Sequence, residues 1–270
     1  MILIRPCVRL LGLNSPNSKR PNDVYLQALT LNLRHNADRW PERRSLVAAA
    51  LAAHDADVIA FQEVSLPIQQ ADLLAADLAA LTRAPVYTIR VQPKTGAEFD
   101  REGIALLSRL PVLESSSLDL PVGNRVAQRI RVLKDGHAFD VVNTHLHHEP
   151  EFEESIREPQ MRALLDWLNV SPDRNWLVCG DFNAQPHSTT VQRIAARFRS
   201  AYATLHGADP LTFPTPLVNY DYPPVALDYI FFDPARLTPT AAELVAAQPA
   251  AHDPRLYPSD HFGLTATFTT

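Results

Sequence analysis

The sequence predicts an α+β sandwich, two sheets with helices on the outside. Three observations lead there. Apolar runs of strand length outnumber helical runs. Five of them follow one another closely between Pro85 and Thr144, and short links join antiparallel neighbours. The helical segments interrupt the rest in an order that is neither a strict strand–helix alternation nor all-β.

Residues 1–23 read as a separate, loosely held extension, because Asn14 to Asn22 is turn and loop chemistry. The regular pattern starts at Val24 and runs to residue 270 as one domain. Tyr25–Leu33 is a strand. Pro41–His54 carries Leu46, Val47, Ala50 and Leu51 at helical spacing, with Pro41 in the first turn. Asp57–Phe61 is a short strand and Leu66–Leu81 an alanine- and leucine-rich helix. Pro85–Val91, Gly103–Leu107, Pro111–Leu118, Val126–Leu133 and Ala138–Thr144 are the five consecutive strands. Glu153–Leu168 is helical, with Pro159 as a break or restart. Trp176–Cys179 is a buried strand and Ser188–Phe198 a helix. The proline-rich stretch Pro210–Pro224 is a surface loop, and Leu227–Phe232, Thr240–Val245 and Gly263–Phe268 close the chain as strands.

Composition narrows the function. A chain with 46% hydrophobic and 20% charged residues folds around a core of its own. A net charge of −5 disfavours a sequence-independent nucleic-acid binder. Two cysteines, Cys7 and Cys179, make no disulfide framework. No apolar run reaches the roughly 18–20 residues that span a bilayer, so membrane insertion is not expected. Arg5 and Arg9 interrupt the apolar start, unlike a signal peptide, and the expected compartment is the cytoplasm. No glycine-rich phosphate loop and no nucleophile elbow is present.

The informative residues are polar ones at the ends of apolar strands. Asn32, Glu63, His145, Asp181 with Asn183, Asp228, and Asp260 with His261 all take such positions. One such residue is ordinarily a turn or a cap. So many carboxylate, amide and imidazole groups point to strands converging on one polar pocket. Carboxylate oxygens suit a hard divalent cation, and a cation with a positioned water is the usual machinery of phosphate-ester hydrolysis.

The ordered set Leu-Asn-Leu (31–33), Phe-Gln-Glu-Val (61–64), Gly-Ile-Ala-Leu-Leu-Ser-Arg (103–109), Asn-Thr-His-Leu (143–146), Gly-Asp-Phe-Asn (180–183), Asp-Tyr-Ile-Phe (228–231) and Ser-Asp-His (259–261) resembles the endonuclease/exonuclease/phosphatase superfamily. The resemblance spans about residues 25–268. It implies a four-layer α/β/β/α sandwich of two mostly antiparallel sheets. It also implies a Mg²⁺-dependent hydrolase of phosphate esters, with Mn²⁺ as the alternative ion. By resemblance Glu63 is the central metal ligand, Asn32 sits beside the metal or the phosphate, and Asp260 binds or approaches the metal. Asp181 orients or deprotonates the attacking water, and Asn183 holds a phosphate oxygen. His261, polarised by Asp228, stabilises the charge developing on phosphorus or serves as base. His145 takes a phosphate-contacting position that the exonuclease III branch fills with tyrosine, and Val64-Ser65 replaces that branch's usual Thr-Lys. Both departures point away from abasic-site repair.

Weaker features remain. His145, His147 and His148 form a cluster read as a polar loop, with a zinc site as the alternative. Alternation places His145 and His147 on one strand face, and Arg125 and Arg129 likewise. Arg34 and His35 are candidates for the mouth of the site, Arg157 and Gln160 for a structural or rim role, and Tyr220, Tyr222 and Trp40 read as surface or core aromatics with a substrate-facing role as the alternative. The expected substrate is a small phosphorylated molecule or a phosphodiester. A nuclease is the alternative within enzymes, and a catalytically idle phosphate-ester binding module the alternative outside them.

Overall fold

The computed structural model describes residues 24–83, 86–148, 153–169 and 173–270; the expected extension 1–23 lies outside them. Two six-stranded sheets are present. The strands are β1 (Tyr25–Asn32), β2 (Val58–Ser65), β3 (Thr88–Pro93), β4 (Glu102–Ser108), β5 (Val112–Asp119), β6 (Val126–Lys134), β7 (His137–His145), β8 (Asn175–Asp181), β9 (Arg199–Ser200), β10 (Asp228–Phe232), β11 (Thr238–Val245) and β12 (Gly263–Thr269). The helices are α1 (Trp40–Ala52), α2 (Gln70–Thr82), α3 (Glu153–Asn169), α4 (Thr189–Ala195) and α5 (Ala201–His206).

The first sheet runs β11-β12-β1-β2-β4-β3 and the second β5-β6-β7-β8-β10-β9. Each contains one parallel pair, β1/β2 and β7/β8, joined by a helix-bearing crossover. All other pairs are antiparallel. The expected sandwich is therefore present. The run of five consecutive strands is split, however: β3 and β4 join the first sheet, and β5, β6 and β7 the second.

Three apolar clusters account for the layers. Leu26, Ala28, Val58 and Leu106 face Ile130, Val141, Leu177 and Ile230 between the sheets. Leu29, Leu31, Ile59 and Phe61 point the other way, onto Val47, Leu51, Leu74 and Leu78 of α1 and α2. Val142, Trp176, Val178 and Tyr229 pack on Met161, Leu164, Leu168 and Ile194 of α3 and α4. Both faces of the central strands are thus covered, so their sequences read as continuous apolar runs.

The differences from the sequence expectation have local causes. Helix α3 runs through Pro159 without a break, because Met161, Leu164 and Leu168 bury its face on the sheet and offset the missing donor. Residues 66–69 form a turn ahead of α2 rather than its first turn. The segment expected to be helical to Phe198 ends at Ala195, and the chain then makes β9 and α5, which pattern alone missed. Ser188 and Ser200 cap α4 and α5 by accepting from Val191 N and Ala203 N.

The parallel β7/β8 junction depends on one glycine. Gly180 has φ 141°, and a Cβ there would stand 2.0 Å from the Thr144 carbonyl oxygen. Gly180→Ala is expected to cost about 3 kcal/mol, read as a lower urea midpoint at unchanged slope. A wild-type midpoint would show that the junction can open without penalty.

Candidate active site

The strand-end residues singled out by the sequence meet at one end of the sandwich, across both sheets. Asn32 ends β1 and Glu63 sits in β2, while His145, Asp181 and Asp228 lie at the ends of β7, β8 and β10. Asp260 and His261 precede β12. Of these residues Glu63, Asp181, Asp260 and His261, together with Asn183, line a cavity of about 850 Å³.

Two of these residues owe their position to unusual backbone. The β2/β4 register shifts between Phe61 and Val64, and Glu63 in that bulge has φ 49°. A left-handed glutamate is uncommon, and the bulge re-aims its side chain into the cavity. Asn183, at φ 48°, follows β8 in a conformation that asparagine tolerates well. Its Nδ2 donates to the Leu146 carbonyl, at 3.1 Å.

Asn32 joins the sheets. Its Nδ2 donates to Glu63 Oε1 at 3.2 Å and to Asp181 Oδ2 at 3.0 Å, while its Oδ1 accepts from Arg34 N at 3.0 Å. Below it, Gln62 Nε2 donates to Asn143 Oδ1 at 2.7 Å, and Asn143 Nδ2 donates to the carbonyls of Phe61 and Ala105. These buried amides span the gap between sheets, where apolar faces alone would not fix a register.

Asp181 is buried, with Oδ1 accepting from Asn183 N at 2.8 Å. Burial and the neighbouring Asp228 push its carboxyl up to about 7, against the pull of His261. His261 Nδ1 lies 2.9 Å from Asp228 Oδ2, and its Nε2 lies 3.8 Å from Asp181 Oδ2. Burial opposes charge on this ring, but Asp228 and Asp181 outweigh it and push His261 up to about 10. The imidazolium thus donates to Asp228 and keeps a second N–H facing Asp181.

His145 is the opposite case. Burial and then the Arg125 guanidinium hold it well below the usual imidazole range, so it is neutral. Arg125 Nη1 donates to His145 Nδ1 at 3.0 Å and Nη2 to His148 Nδ1 at 2.9 Å. An arginine donating to Nδ1 leaves the His145 proton on Nε2, which lies 3.6 Å from Asp181 Oδ2.

This arrangement corrects both strand-face expectations. Strand β7 ends at His145, so alternation does not extend to His147, and His148 is the ring that shares Arg125 with His145. The guanidinium takes Nδ1 of both rings, and among the described residues no group of three His, Cys, Asp or Glu donors within ligating reach includes them. Arg125 precedes β6 and enters the cavity wall, whereas Arg129 turns outward to Glu114 at 2.6 Å. Trp40 packs in the core beneath Arg43. Arg157 and Gln160 take the structural role, bracing the loop backbone at the His147 carbonyl and at His147 N and the Val122 carbonyl.

Arg34 lies at the mouth, as expected, with Nη1 3.1 Å from Asp260 Oδ2. His35 contacts Glu102 and lies 3.5 Å from Glu63. Lys94 and Glu102, paired at 2.6 Å, complete that wall and escaped sequence reading. The available signal was that Lys94 is one of only three lysines, Lys19, Lys94 and Lys134.

The donor set bears on a cation. Glu63, Asp181, Asp228 and Asp260 bring four carboxyl groups to one place. Asp181, Asp228 and His261 offer atoms within 4.8 Å of one another. Glu63 and Asp260 also line the cavity, and carboxylate oxygens are donors of the kind a hard divalent ion takes.

Comparison with known proteins bears on the family and the fold. The family model described as Endonuclease/Exonuclease/phosphatase family matches residues 29–261. Nocturnin of Rattus norvegicus is 25% identical over 262 residues, which covers 86% of this chain and 59% of the rat protein. Nocturnin of Drosophila melanogaster is 25% identical over 275 residues, covering 85% of this chain and 42% of the fly protein. The chain thus spans less than two thirds of these relatives. Among solved structures, the human Nocturnin catalytic domain with bound sulfate anion superposes with a TM-score of 0.73 at 23% identity, covering 92% of this chain and 98% of that one. D. rerio TDP2 complexed with single strand DNA product gives 0.74 at 20% identity, covering 92% and 100%.

Proposed function

The chain belongs to the Endonuclease/Exonuclease/phosphatase family, and on that premise we propose that it is a divalent-metal-dependent phosphoesterase acting on a phosphodiester or phosphomonoester. The observation that carries the reading is the linked set Glu63–Asn32–Asp181 beside the His261–Asp228 pair, drawn from both sheets to one cavity.

Glu63 and Asp260 would hold the ion, with Asn32 beside them. Mg²⁺ fits an all-oxygen set, and Mn²⁺ is the alternative. Such an ion, when bound, neutralises phosphate charge and polarises the ester. Asp181 accepts the proton of a water and aims it in line at phosphorus. Asn32 Nδ2 and Asn183 N hold that carboxylate in one orientation. His145 donates from Nε2 and His261 from its free N–H to nonbridging oxygens, and Asn183 adds its amide. Asp228 keeps His261 charged and oriented. Every position of the expected set is filled, which supports an enzyme over an idle binding module.

The expected compartment remains the cytoplasm, and no helix among the described residues is long and apolar enough to cross a membrane. Turnover of bis(p-nitrophenyl) phosphate, p-nitrophenyl phosphate, a lipid phosphodiester and plasmid DNA is the direct test. Hydrolysis of at least one should vanish in EDTA and return with Mg²⁺. Mg²⁺ should also raise the melting temperature, since a ligand of the native state stabilises it. Turnover that survives chelation would overturn the metal assignment.

A further inference from the structure

We propose that Phe213, Tyr220 and Tyr222 form a stacking wall for a planar heteroaromatic ring carried by the substrate. The inference rests on the phosphoesterase reading for where the phosphate sits. Phe213 lies on His261, with ring centroids 4.7 Å apart. Tyr220 and Tyr222 continue outward from Phe213, at 5.7 and 6.5 Å. A line of rings therefore runs from the phosphate-facing histidine to the cavity mouth, and all four rings border the cavity.

The tyrosines are half exposed, 46% and 48%, although large apolar rings ordinarily pack away. Tyr220 is nevertheless held in place. Arg34 Nη2 donates to Tyr220 Oη at 3.1 Å, with its guanidinium 6.0 Å from the ring centroid. The loop that carries them contains Pro210, Pro214, Pro216, Pro223 and Pro224, which restrict its backbone. Phe213 and Val225 close its base by paired backbone bonds, and Thr215 N and Oγ1 donate to the carbonyls of Asp260 and Ser259. The wall is thus tied directly to the segment bearing Asp260 and His261. Rings pre-ordered at a mouth lose little entropy on stacking. A cavity of about 850 Å³ is of the size that encloses a small molecule. The occupant that fits is a ring of nucleobase size on a phosphorylated sugar or similar short spacer.

The test compares adenosine 5′-monophosphate with ribose 5-phosphate, which differ in the base, by calorimetry in chelator so that nothing is turned over. Stacking on an aromatic side chain predicts about tenfold tighter binding of the nucleotide. Tyr222→Leu should reduce that ratio to near one, and Tyr222→Phe should keep it. Equal binding of the two probes by the wild-type protein, or binding of neither, overturns the wall, as does a ratio that survives Tyr222→Leu. The ratio is read without catalysis. A preference for the nucleotide with no hydrolysis of any ester would refute the phosphoesterase reading and leave the wall standing, and chelator-sensitive hydrolysis with no preference would do the reverse.

Discussion

Asp181→Asn should lower kcat by about 10³-fold, the scale of a lost general base, while leaving the fold intact. The amide keeps one acceptor for Asn32 Nδ2, but it cannot accept a proton from water. Stability should move the other way. The native carboxyl holds its proton up to about 7, whereas its ordinary value is 3.8. The folded state therefore binds the proton more tightly than the unfolded chain. This group subtracts from stability progressively as pH rises from about 4 to about 7. Asparagine removes that loss, so in chelator the variant should be at least as stable as wild type at pH 8, with the gap closing towards pH 4. Wild-type turnover would remove Asp181 from the chemistry. A variant that unfolds would mean that the carboxylate is structural.

Arg43→Leu should cost about 4 kcal/mol, the range for a buried charge network broken from one side. Arg43 lies in α1 and is fully buried. It donates to the carbonyls of Leu33, Asp38 and Pro258 at 2.8–3.0 Å and to that of Ala37 at 2.6 Å, with longer bonds to Arg34 and His35. Burial pushes the guanidinium down to about 10, which still leaves it charged at neutral pH. Leucine would leave those carbonyls unpaired. The loop that aims Arg34 and His35 would lose its tie to the segment before Asp260. A denaturant midpoint within error of wild type would show that water replaces the guanidinium at no cost.

That arginine also marks where sequence reading stops. The residues at strand ends were legible because a lone Asn, Glu or Asp after an apolar run departs from what packing needs. The strands were legible because burial on both faces leaves apolar runs. Arg43 was not, since in Trp-Pro-Glu-Arg-Arg it looks like a solvated helix face, and its partners are carbonyls that have no sequence signature. Arg125 and Glu102 were obscured similarly, since their meaning lies in contacts 20 or more residues away with His145 and His35. The assignment of β4 and β5 to different sheets was invisible because local pattern specifies a strand but not its partner.

Strand β1 lies between β2 and β12, and the Ser259 hydroxyl donates to the Asn32 carbonyl across 227 residues of chain. As a ribosome delivers the polypeptide, the second sheet can pair internally while the first still lacks its β11–β12 pair. Asp260 and His261 reach the cleft only when that pair docks. Unfinished or prematurely terminated chains consequently carry no assembled reaction centre. Such chains also expose the open flank of β1, an unpaired edge open to the wrong partner until translation nears its end.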